Sequence, residues 1–268
     1  MMTIAQLHSK YISLGYSASD ARLLVAEEII IAKIAHSELA ERVTLKGGIV
    51  MYNLTKNNRR ITRDIDFDFI RYSIDNNSLI TFINLLNKVD DGFVIRIIGE
   101  IESLHQEDYQ GARINILIED SRKKRLRLKL DIGVHTYHAI EQANVAFSFD
   151  INKNNIMLKA NPPEQILVEK LLSLARFGVA STRYKDVYDI YFLIKEKCVS
   201  IKKVRDILQL FFCKSSKKPN DIEDLQTIIE DTLSNNDFAL EATKPVFRWI
   251  DVSFDDLKAV IIDFVHKL

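Results

Sequence analysis

The sequence predicts an α+β fold, with a front half of mixed strands and helices followed by an all-helical back half. Three observations carry this. From Phe93 to Val134 apolar and polar residues alternate, the period of half-buried strands. After the break "NPPEQI" the period turns helical and stays so. Only 4 prolines and 8 glycines punctuate 268 residues, so secondary structure is dense. The expected domains are residues 1–160 and 161–268.

In chain order, "SASDARLLVAEEIIIAKIAHSELA" has a Ser/Asp start, then Leu23, Leu24, Ile29, Ile30 and Ile34 at helical spacing, and reads as a long amphipathic helix that opens the domain. A short strand at Val43–Leu45 leads into two glycines and a further helix, "IVMYNLTKN". "DIDFDFI" is the next strand. "FVIRIIGEI", "ARINILIE" and "RLRLKLDIGV" are expected to form an antiparallel set. In the back half "EQILVEKLLSLARFG", "KDVYDIYFLIKE" and "IKKVRDILQLFF" are helices, and Cys213–Asp221 is linker-like.

Composition narrows the function. Lys plus Arg and Asp plus Glu are both 37, so a protein that coats polyanions with its whole surface is excluded and any nucleic-acid contact must be local. The two cysteines, Cys198 and Cys213, supply neither a disulfide framework nor zinc spacing. No leader pattern and no long apolar run occurs, and a cytoplasmic protein without a membrane span is expected.

Within "DIDFDFI" alternation puts Asp64, Asp66 and Asp68 on one side and Ile65, Phe67 and Phe69 on the other. Neighbouring charges on that side lie roughly 6–7 Å apart and repel. A solvated edge strand is one reading. A calcium loop is not, since the Gly and Glu of an EF-hand are out of place. A second carboxylate favours a cation site: Asp131 leaves "RLRLKLDIGV" on its polar side, together with His135. If the two strands pair, Asp64, Asp66 and Asp131 converge as hard oxygen donors of the kind that hold Mg²⁺ on a substrate phosphate. Glycosidase carboxylates must instead flank a sugar from separate directions. The glycines of "LKGG" permit close approach of backbone to phosphate at a helix N-terminus, although neither GxGxxG nor GxxxxGK[ST] is present.

Together "LKGG…RITRDIDFDF…LKLDIGV…PPEQILVEKLLSLARFG…RYKDVYDIYFL" resembles the AbiEii/AbiGii abortive-infection toxins, within the DNA-polymerase-β-like nucleotidyltransferase superfamily. The matching motifs run from Lys46 to Leu193. The resemblance implies a nucleotidyltransferase-fold mixed sheet flanked by helices, with a helical C-terminal domain. It implies an NTP substrate with Mg²⁺, RNA (notably tRNA 3′ ends) as acceptor in some relatives, and an antitoxin partner encoded nearby. By the same resemblance Lys46, Gly47 and Gly48 lie at the triphosphate, and Asp64, Asp66 and Asp131 are the catalytic and metal-binding acids. Lys170, Arg183, Lys185, Asp186 and Asp189 match the nucleotide-binding positions of the helical motifs. Ile49 departs from the pattern, which has Thr or Ser after the glycines.

Other readings stand beside these. Lys185 and Asp189, four apart on a helix, also suit a surface ion pair, and Lys170 a lysine that snorkels from an apolar face. The basic stretches Lys56–Arg63 and Ser121–Lys129 suit either solvated turns or contacts to an RNA backbone. Trp249 is expected to be packing. A small-molecule acceptor, a nucleotide-binding relative without catalysis, and a structural protein with an acidic strand remain distinct alternatives.

Overall fold

The computed structural model describes residues 2–62, 64–106, 109–148, 155–196, 199–214 and 218–268. Arg63, Cys198 and part of the 213–221 stretch therefore lie outside the described residues. The chain divides into two compact units, residues 1–161 and 162–268.

The first unit opens with α1 (Ile4–Ser13), whose N-terminus is closed by a reciprocal Thr3–Gln6 capping box. The expected opening helix is thus the second, α2 (Ala18–Ala35), started by Ser17 accepting from the Asp20 amide at 3.1 Å. It is not amphipathic. Residues 24–34 are all buried, because α2 packs against α1, α4 (Asn76–Asn87) and two strands of the sheet. Such a helix must satisfy its own charges. Lys33 does so by meeting Asp91 at 2.7 Å, the Leu86 carbonyl in the last turn of α4 and the Val89 carbonyl just beyond it.

One mixed sheet carries the unit. Its strands are β1 (Val43–Lys46), β2 (Ile65–Phe69), β3 (Phe93–Ile97), β4 (Glu102–Gln106), β5 (Tyr109–Asp120), β6 (Arg125–Val134), β7 (Ala143–Phe147) and β8 (Ile156–Ala160). The order is β3-β5-β6-β2-β1-β8-β7, with β4 paired to β5. The expected antiparallel set is present as β3, β5 and β6. "FVIRIIGEI" ends as a strand at Ile97, however, and β4, β7 and β8 come in addition.

Register fixes what the faces hold. Ile65, Phe67 and Phe69 look into the core with Ile114, Ile116, Ile118, Leu130 and Ile132, all buried. Phe67, Phe69 and Phe82 form a ring cluster with centroids 5.1–5.8 Å apart. The opposite face is polar. Helix α3 (Gly47–Thr55) follows β1 directly and packs on β1 and β2.

The second unit is entirely helical among the described residues: α5 (Pro163–Phe177), α6 (Tyr184–Lys195), α7 (Ile201–Phe212), α8 (Ile222–Ser234), α9 (Asn236–Ala242) and α10 (Phe254–His266). Helix α5 packs on α6, α7 and α8, and α10 on α6 and α8. Trp249 is buried against Phe192, with centroids 5.7 Å apart. Among the described residues no helix is long and apolar enough to cross a membrane.

Candidate active site

The glycine turn joins β1 to α3 in a tight space. Gly47 has φ +62°, a left-handed conformation that costs glycine little and other residues more. A Cβ on Gly47 would lie 2.7 Å from Asp66 Oδ2, and one on Gly48 would lie 2.3 Å from Thr62 Oγ1 and 2.6 Å from Thr62 Cβ. Both glycines therefore let the turn lie flush against the start of β2. The first turn of α3 has no side-chain cap, so its amide end is available to an anion. Ile49, by contrast, is turned into the core.

Strands β2 and β6 pair in parallel with Asp66 opposite Asp131, and β1 pairs antiparallel with Lys46 opposite Asp66. Partners directly opposite share a face, so these three side chains are neighbours. Asp64 sits one residue before β2, with Lys129 Nζ at 3.5 Å. The oxygen in that ion pair, Oδ1, is enclosed and makes no hydrogen bond. Asp68, expected to share an exposed acid face, is buried instead and bound to Lys46 Nζ at 2.6 Å. Buried beside it, the His135 imidazole has its pKa lowered by desolvation, against the pull of the Asp68 charge.

The acid row thus splits by environment. Lys46 neutralises Asp68, whereas Asp66 is raised from 3.8 to about 7, chiefly by burial. Lys46 opposes that rise, while Asp131, Asp64 and Asp68 add to it. Asp131 is held on both oxygens by Arg113, each contact at 2.7 Å.

A further carboxylate lies at this site that the sequence reading did not single out. Glu27 of α2 is 1% exposed, and neither of its oxygens has a hydrogen-bond partner. Its pKa is raised well above the ordinary value, first by burial and then by the charges of Asp64 and Asp66. A signal was present: "AEEIIIAK" puts three ionisable groups inside an otherwise apolar run of the helix.

These donors suit a hard divalent ion. They are oxygens only, their like charges crowd together, and both Glu27 oxygens are buried without hydrogen-bond partners. The expected convergence of Asp64, Asp66 and Asp131 is nevertheless incomplete. Among the described residues no group of three or more His, Cys, Asp or Glu is arranged to hold a metal ion. Asp131 takes Arg113 as its counter-charge, which offsets repulsion among the like charges of this face.

In the second unit the helical motif closes on itself. Lys170 of α5 meets Asp186 at 2.6 Å and Asp189 at 2.8 Å, and the Asp189 side chain is fully buried. Asp189 is therefore a buried partner of Lys170 and no surface carboxylate, and a buried carboxylate needs such a close counter-charge. Nor is Lys170 a snorkelling surface lysine. Arg183 is the exposed N-cap of α6, and Lys185 is half-buried one turn before Asp189.

Among solved structures, the chain is similar to an antigenic nucleotidyltransferase-like protein from Paracoccidioides brasiliensis. The two are 16% identical with a TM-score of 0.45, over 82% of this chain and 91% of that one. The comparison with curated proteins finds no match. A family model described as nucleotidyl transferase AbiEii toxin, type IV toxin–antitoxin system, matches residues 29–255, a span that includes the glycine turn, the acid strands and the helical motif. The chain therefore belongs to the AbiEii nucleotidyl transferase toxins.

Proposed function

We propose that the protein transfers a nucleoside monophosphate from an NTP to the hydroxyl of an acceptor RNA, notably a tRNA 3′ end, in a Mg²⁺-dependent reaction. The observation that carries the reading is the register of Asp66 opposite Asp131, with the Gly47 turn resting on Asp66. The glycine turn and the uncapped amides of α3 hold the triphosphate, and Lys46 keeps the charge of the β1–β2 edge in balance. Asp64 and Asp66 would hold Mg²⁺, joined by Asp131 once Arg113 releases it. Bound there, the ion would neutralise the triphosphate and stabilise charge that develops in the transition state.

The acceptor oxygen forms a bond to the α-phosphorus while the bond from that phosphorus to the bridging oxygen breaks, and pyrophosphate leaves with the electron pair. Asp131 aligns the attacking hydroxyl and takes its proton. Arg113, once freed from Asp131, would meet phosphate charge. Such chemistry needs positioning and electrostatics rather than a covalent nucleophile.

An RNA acceptor is favoured over a small molecule by a basic rim on the same sheet face. Arg96, Arg125, Arg127 and Lys129 are exposed there, and the strand registers align them with Arg113 and Asp131. Paired acids offset part of that charge, through Glu119 on Arg125 and Asp64 on Lys129. Family membership also supports a cytoplasmic toxin held in check by an antitoxin encoded nearby. The test is to incubate the protein with each labelled NTP, total RNA and cell extract. Label is expected in the RNA fraction and absent with Asp66→Ala; label that enters only small molecules or protein contradicts the acceptor, and full activity of Asp66→Ala contradicts the mechanism.

A further inference from the structure

Helix α2 carries three buried ionisable side chains, and two of them are satisfied. Glu28 accepts from the Tyr11 hydroxyl at 2.9 Å, and Lys33 has Asp91 and two carbonyls. Glu27 is the exception: it is fully enclosed, both its oxygens lack partners, and the charges that act on it belong to Asp64 and Asp66. Asp64 Oδ1 is likewise enclosed without a hydrogen bond, and has Lys129 Nζ at 3.5 Å as an ion-pair contact. Buried carboxyl oxygens left without a hydrogen bond are costly unless a further species joins them.

We infer that Glu27 is a fourth carboxylate of the cation site, which binds the divalent ion together with Asp64 and Asp66, directly or through one cation-bound water. The inference rests on the proposed reading of those two aspartates. A hard cation bound by Glu27 beside Asp64 and Asp66 would satisfy both orphaned Glu27 oxygens. It would also explain why a helix otherwise packed with Ile, Leu, Val and Ala retains an acid at that position.

The test is titration of the full chain with Mn²⁺ alone, followed by calorimetry and by the loss of free-ion paramagnetic resonance signal, in the wild type, Glu27→Gln and Asp66→Ala. Glu27→Gln keeps the shape and removes the charge. It should weaken Mn²⁺ binding at least tenfold and reduce the Mn²⁺-induced rise in melting temperature, while leaving the metal-free melting temperature equal or higher. Mn²⁺ affinity unchanged in Glu27→Gln but lost in Asp66→Ala overturns this inference alone. Affinity unchanged in both variants overturns the cation site itself, and the inference with it. Should Glu27→Gln not fold, Mn²⁺ anomalous scattering in wild-type crystals decides: a peak bonded to a Glu27 oxygen, or separated from it by one water, supports the inference, and a peak beyond that reach overturns it.

Discussion

At the scale of single residues, two carboxyls set the pH behaviour. In the folded chain Asp66 titrates at about 7 rather than 3.8, and Glu27 is raised as well, both through burial first. Each binds a proton more readily folded than unfolded. Their contribution to stability is therefore full below the ordinary carboxylate range and is lost as pH rises, for Asp66 as it passes about 7. The metal-free protein should lose stability between about pH 4 and pH 7 from Asp66, and Glu27 adds a loss of the same sign above the ordinary carboxylate range. Thermal melts across that range should show the decline, and Glu27→Gln should flatten it; an unchanged slope would show that Glu27 does not titrate as described. The glycine turn gives a second test. Gly48→Ala pushes a methyl into Thr62 Oγ1 and Cβ, an overpacking cost of about 1–3 kcal/mol. Urea unfolding should register that loss, and adding Thr62→Gly should recover part of it.

Among the elements, the legible parts were those with strong alternation. "DIDFDFI" and "RLRLKLDIGV" announced β2 and β6, and the polar placement of Asp131 followed from counting residues. Asp68 did not follow, because alternation assigns a face and not a partner, and Lys46 draws it out of solvent. Helix α2 was misjudged for a related reason. Its apolar stripe was visible, but the burial of its other faces depends on α1, α4 and the sheet, none of which periodicity reports. Glu27 was hidden by that error, since an acid on a supposed polar face attracts no notice. Helices α5 and α6 were found by period, yet the bond between them was not. Lys170 joins them through Asp186 and Asp189, so Lys170→Ala should destabilise the second unit by about 3–5 kcal/mol by stranding a buried carboxylate. Chemical unfolding monitored at Trp249 checks this; wild-type stability would argue that the lysine is not structural.

Seen as a whole molecule, the chain's division into a sheet-bearing unit and a helical one follows the change of hydrophobic period around "NPPEQI". Three strands escaped the reading. The edge strand β4, "ESLHQ", has almost no apolar alternation, while β7 and β8 alternate over only five residues each, too short to stand out from loops. Their pairing nevertheless matters to the site, because β8 braces β1 from the side opposite β2 and so holds the glycine turn against Asp66. The central claim is that this arrangement moves a nucleotidyl group and not a terminal phosphate. It is tested most directly with the acceptor RNA, Mg²⁺ and one NTP, labelled in separate reactions at its α- or its γ-phosphate. The account predicts that the α-label enters the RNA, that the γ-label is released as pyrophosphate, and that Asp66→Ala does neither. A γ-label found on the acceptor, or α-label transferred equally well by Asp66→Ala, would contradict it.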